Sequence, residues 1–110
     1  MKIIYNNILP LKGFAAINLF GVIFARKGYE PLSETAINHE AIHTAQMMEL
    51  LYIFFYFMYA VEWITLLILY RDSNKAYRNI SFEREAYANQ SDKDYLKERK
   101  KHDFIFYMGY

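Results

Sequence analysis

His39-Glu40-Ala41-Ile42-His43 sets two histidines four positions apart with an acid next to the first. On a helix, positions i and i+4 share a face, so both imidazoles can address one metal ion. Glu40 then lies roughly 100° round from His39, within reach of a water held by that metal but outside the ligand set. That is where a general base belongs. The chain has no Cys, which excludes disulfides, thiolate catalysis and sulfur ligands; any metal must be held by His and carboxylates. Zn2+ suits such donors and makes a water acidic near neutrality. A catalytic zinc needs a third protein ligand and an open position. The remaining histidine, His102, sits in a charged C-terminal segment and reads as solvated. Among the acids, Glu62, Glu83 and Glu85 are the candidates. Gln46, three residues after His43, shares the metal-facing side of the helix and either lines a pocket or lies on the surface.

These residues need elements to hold them. Ser33 reads as a helix N-cap with Glu34 in the first turn, opening a helix that runs to Glu49 and carries the histidine pair. Upstream, Ile3 to Tyr5 reads as a short strand ended by Asn6-Asn7 and Pro10. Ile17 to Ala25 reads as a second strand, with Gly21 a bulge or point of close approach. No Gly or Pro occurs from Leu32 to Met108, so that whole stretch permits helix. Arg71 to Asn74 reads as a connector, Ser81 as a second N-cap and Phe82 to Asn89 as a short helix. Asp92 to Asp103, with five basic and four acidic residues, reads as a solvated helix before an aromatic tail, Phe104 to Tyr110. The 110 residues are expected to form a single domain, 1–110. A net charge of +1 offers no electrostatic footprint for nucleic acid. The start, Met1 to Asn7, lacks the long apolar core of a signal peptide.

Aromatic residues make up 19% of the chain, a composition suited to a tight core or to a membrane interface. Leu50 to Tyr70 is a run of 21 residues whose only charge is Glu62. At 1.5 Å per residue it is roughly 30 Å long, enough to cross a bilayer or to form a core helix packed all round.

The segment Phe82-Glu83-Arg84-Glu85-Ala86-Tyr87, taken with HExxH, resembles the gluzincin metallopeptidases, and in particular small relatives of their membrane-associated branch. In that branch a ligand Glu on a later helix is followed at +3 by Ala and at +4 usually by Asp. The resemblance covers Ser33 to Tyr87. It implies that Glu83 joins His39 and His43 as metal ligand, that Ala86 is the small packing residue, and that Tyr87 stands where the family has Asp. Tyr87 could then donate to a ligand or to an oxyanion. The implied fold is mainly α with a small N-terminal β element, a minimal gluzincin-like helical core with a strand edge beside the active helix. The implied reaction is hydrolysis of a peptide bond in a peptide or protein substrate, with Glu40 as base. A single membrane crossing by Leu50 to Tyr70 would put His43 and Glu83 on opposite faces. A turn near Leu51 to Phe54 removes the conflict by folding the run back along the HExxH helix, with Glu62 roughly opposite Ile42. The expected setting is cytoplasmic or membrane-associated, with part of the aromatic surface resting on a membrane or partner. The rival expectation is a non-enzymatic, membrane-associated or partner-binding helical protein with a structural or vestigial metal site. A closed four-ligand site would favour the rival; an open position reached by a groove would favour the enzyme.

Overall fold

The computed structural model describes residues 2–9 and 14–109. Pro10, expected to end the first strand, lies outside these residues, as do Met1 and Tyr110. The fold is mainly helical with a small N-terminal sheet. Strands β1 (Ile3–Asn6), β2 (Ala16–Leu19) and β3 (Val22–Arg26) pair in the order β1-β3-β2, β1 parallel and β2 antiparallel to β3. The single strand expected over Ile17 to Ala25 is therefore two strands. Leu19 pairs with Val22, leaving Phe20 and Gly21 as a two-residue turn with φ of 53° and 88°. Positive φ at both central residues matches the right-handed twist of the strands, and it is what Gly21 supplies. Phe20 tolerates it because its ring packs on Tyr56 (centroids 5.0 Å apart) and its N–H donates to Tyr56 Oη at 2.9 Å.

Helix α1 (Glu34–Glu49) starts as expected, with Ser33 Oγ accepting from the Ala36 N–H at 3.1 Å. It ends in a reversal where Leu51 and Tyr52 take φ of 54° and 61°, and the Tyr52 N–H returns to Met47 O at 2.8 Å. The turn thus forms within the expected stretch. Helix α2 (Ile53–Tyr70) meets α1 through its first turns, Phe55 against His43 and Tyr56 against Met47. Farther along, Leu66 packs with Ala76 of α3 (Ser73–Asn79) and with Ile80. The connector is short, because Arg71 closes α2 in the left-handed region and Asp72 caps α3 on the Lys75 N–H. Helix α4 spans Ser81–Asn89, α5 Tyr95–Glu98, and a 3-10 helix Asp103–Tyr107. Phe82 centres the main core, between Phe55 and Phe104 at 4.6 Å each. A smaller cluster of Ile23, Ala25 and Leu32 seals the sheet.

Two further expectations are corrected. The charged segment 92–103 is not one solvated helix: only Tyr95–Glu98 is α-helical, and Arg99 is buried between Glu49 and Glu85. A guanidinium facing two carboxylates is better placed inside than on a solvated face. Ser81 does not cap α4 with its own side chain, because Ile80 holds the cap position. Glu62 takes that task, accepting from the Ser81 N–H at 2.9 Å and from its Oγ at 2.6 Å. A carboxylate at a helix N-terminus meets free N–H groups and the positive end of the helix dipole.

Candidate metal centre

Three side chains from two helices converge on one point. Helix α1 presents His39 and His43 from one face, and α4 presents Glu83 from its first turn. All three side chains are buried. Glu83 Oε1 lies 3.1 Å from His39 Nε2 and 3.0 Å from His43 Nε2, and the two Nε2 atoms are 3.1 Å apart. Helix α4 is held at both ends. Glu62 fixes its start, and Asn38 of α1 donates to Gln90 O at 2.9 Å and Asp92 O at 3.0 Å beyond its end. The sheet is stapled to α1 by Asn18, whose Nδ2 donates to Glu40 O at 2.9 Å and Thr44 Oγ1 at 2.8 Å.

The outer nitrogens of the imidazoles determine what the inner ones can do. Gln46 Nε2 donates to Phe82 O at 3.1 Å and Glu85 Oε1 at 2.9 Å, so its Oε1 is the atom turned toward His43 Nδ1, 2.8 Å away. An amide oxygen only accepts, so His43 Nδ1 carries a proton. Gln90 Oε1 faces His39 Nδ1 in the same way, at 2.8 Å. Each neutral imidazole then turns a bare Nε2 lone pair inward, toward the other and toward Glu83. Three acceptors with no donor among them need a cation, either a proton or a metal ion. The fixed tautomers, the buried carboxylate and the common point of convergence are what a metal site requires. The residues present could hold a metal ion.

With protons alone in that role, the electrostatics are strongly skewed. Burial opposes charge on His43, but Glu83 beside it more than reverses this, and its pKa is raised to about 9. Burial works against the Glu83 carboxylate too, yet the two imidazoles outweigh it and hold its pKa below the usual carboxylate range. Tyr59 Oη donates to the second oxygen of Glu83 at 2.7 Å. Burial raises the pKa of Glu40, with the two histidines pulling partly the other way.

Above the cluster lies a cavity of about 410 Å³, with His39, Glu40, His43 and Glu83 in its lining. Strand β2, an edge of the sheet, forms one wall, and Phe55, Tyr59 and Trp63 of α2 form another. Among the described residues no fourth His, Asp or Glu joins the cluster.

The other sequence candidates fall as follows. Glu62 is at Ser81 and Glu85 at Arg99, Tyr95 and Gln46. Gln46 is fully buried, so it does not lie on the surface, and it is not among the residues that line the cavity: it stands behind His43. Tyr87 lays its ring against His39 (centroids 4.5 Å apart), with the Arg78 guanidinium on its other contact at 3.8 Å, and shares a hydrogen bond with Tyr77 Oη at 3.0 Å. Tyr59, Tyr77 and Gln90 were not singled out from sequence. Nothing in their spacing distinguishes them from ordinary aromatic and polar residues; only the helix packing brings them to the site. No protein-family model, curated protein or solved structure matches the chain.

Proposed function

We propose that the chain is a zinc-dependent peptide hydrolase in which His39, His43 and Glu83 hold the ion. The observation that carries this reading is the triangle of two Nε2 atoms and one carboxylate oxygen, all within 3.1 Å of one another, beneath an open cavity that Glu40 also lines. Zinc, when bound, would supply the Lewis acidity that acidifies water and polarises a carbonyl group. Glu40 would take a proton from the water whose oxygen bonds to the carbonyl carbon, and would pass that proton to the amine nitrogen as the C–N bond breaks. Its raised pKa strengthens it as a base, and the cavity leaves it reachable. Tyr59 and the two glutamines hold Glu83 and the imidazoles in their working orientation. Tyr77, which lines the cavity, is placed to donate to an oxyanion, and Tyr87 supports it through their shared hydrogen bond and packs on His39. The edge of β2 offers backbone groups to an extended substrate. The resemblance to gluzincins in HExxH and Phe82 to Tyr87 supports the same reading. Such an enzyme would work in the cytoplasm or at a membrane.

The test is metal analysis of natively purified protein alongside a mixed fluorogenic peptide library. About one zinc per chain and slow cleavage are expected. Glu40→Gln should keep both the zinc and the fold and lose cleavage. Zinc loss in that variant, or a folded wild type that takes up no zinc, would overturn the proposal.

A further inference from the structure

Helix α2 has eighteen residues and one charge, and the fold turns that charge inward to Ser81. The helix is long and apolar enough to cross a membrane. Its outward side is apolar along the whole length: Ile53, Phe54, Phe57, Val61, Ile64 and Ile68 are each 49–73% exposed. The hydroxyl on this side, Thr65 Oγ1, is bonded to the helix's own Val61 O at 2.8 Å. At about 100° per residue these six positions fall within an arc of roughly 100°, and Trp63, Thr65 and Leu69, also exposed, widen it to roughly 240° on a helix about 27 Å long. Single exposed apolar residues are ordinary; a continuous apolar surface of this extent marks an interaction site.

The surface does not stop at the helix. Phe20 at the β2–β3 turn is 62% exposed and packs on Tyr56 and Tyr52. Trp63 is both 39% exposed and part of the cavity wall, facing the edge strand that carries Ile17. Where the apolar face ends, Arg71 follows directly and Lys75 stands 4.5 Å over the Tyr70 ring.

Three features identify the partner. The exposed arc is wider than the roughly 100° stripe that one packed helix covers, whereas fluid hydrocarbon covers all of it. It presents a hydroxyl already satisfied and no charge, as hydrocarbon requires. Its C-terminal end carries Arg71 and Lys75 against one acid, Asp72, whose carboxylate caps α3, and the net positive charge complements anionic headgroups. The inner side of α2 is packed on α3, Phe82 and Phe104, so the helix lies along a bilayer rather than through it.

We propose that the outer face of α2 docks side-on into an anionic lipid bilayer, with Trp63 and Phe20 at the same boundary. The cavity over His39, His43 and Glu83 then opens at the membrane surface. As a corollary resting on the hydrolase reading, its substrate is a polypeptide segment lying on or leaving that membrane. The docking itself does not depend on hydrolysis.

Trp63 is the chain's single tryptophan and reports docking directly. Full-length protein would be floated with vesicles of phosphatidylcholine and phosphatidylglycerol, and its fluorescence recorded with and without acyl-brominated lipid. Co-flotation, a blue shift and quenching by bromine are expected. The double variant Phe57→Glu, Ile64→Glu should lose at least about tenfold in vesicle affinity while keeping wild-type circular dichroism and zinc content. A wild type that stays monomeric and does not float overturns the proposal. So does a wild-type dimer that the same double variant dissociates, since the face would then belong to a second copy. Hydrolysis without flotation overturns the docking alone, and flotation without hydrolysis overturns only the catalytic reading. Faster cleavage of a lipid-tethered than of a free peptide would support the corollary, and equal rates would remove it.

Discussion

At the residue scale, the site is defined by where its protons are held. Gln46 and Gln90 hold protons on the outer nitrogens, and the inner nitrogens face a carboxylate at 3.0–3.1 Å. In the metal-free protein His43, with a pKa of about 9 against an ordinary 6.5, is protonated at neutral pH. A metal needs it neutral, so zinc uptake at pH 7 should release about one proton per ion. Calorimetric titration in buffers of different ionisation enthalpy measures this; a binding heat independent of buffer would refute it. The stability linkage has a definite sign. A raised pKa means this group's contribution is complete below about pH 6.5 and is lost as the pH rises toward about 9, so the metal-free form should weaken over that window. His39, Glu40 and His43 were legible in the sequence because their meaning is local: one helix turn sets their geometry. Tyr59 and Gln90 were not, because each lies far along the chain and matters only through tertiary contact.

Elements explain why Glu83, and not another acid, reaches the histidines. Glu62 is bound at the start of α4, and Glu85 faces the opposite way, toward Arg99. Glu62→Ala would leave the Ser81 N–H and Oγ without partners and should lower stability by about 1–3 kcal/mol, read by urea denaturation. Its zinc affinity should fall less than that of Glu83→Ala. The reverse order would move the metal site into α2. The sequence marked α1 clearly, through the Ser33 cap and Glu34 in the first turn. It misled over Ile17 to Ala25, because apolar residues continue straight through the turn at Phe20-Gly21. Tertiary packing on Tyr56 holds Phe20 in a conformation its own type disfavours, and no local signal announces such support.

At the scale of the whole molecule, a buried polar chain runs from the site to the C-terminal segment. His43 bonds Gln46, Gln46 bonds Glu85, and Arg99 joins Glu85 to Glu49. Arg99→Ala would leave the buried Glu85 and the half-buried Glu49 without a cation and should cost about 3–5 kcal/mol in a urea melt. It should weaken zinc binding as well, since Gln46 would lose a fixed partner. A variant as stable as wild type would show that water replaces the guanidinium. The overall class, mainly helical with a small N-terminal sheet, was readable from the long stretch free of Gly and Pro. The role of Arg99 was not, because a run of mixed charges looks solvated until its partners are known. The same architecture brings together donors that are 44 positions apart, His39 and Glu83. An ion shared between them would bind the folded chain and not the open one, so its binding free energy would add to that of folding. At a free concentration about a hundred times its dissociation constant the gain is about 2.7 kcal/mol. In a chain without cysteine, folding would thereby become a function of metal supply, and a chelator would act on this protein as a denaturant does.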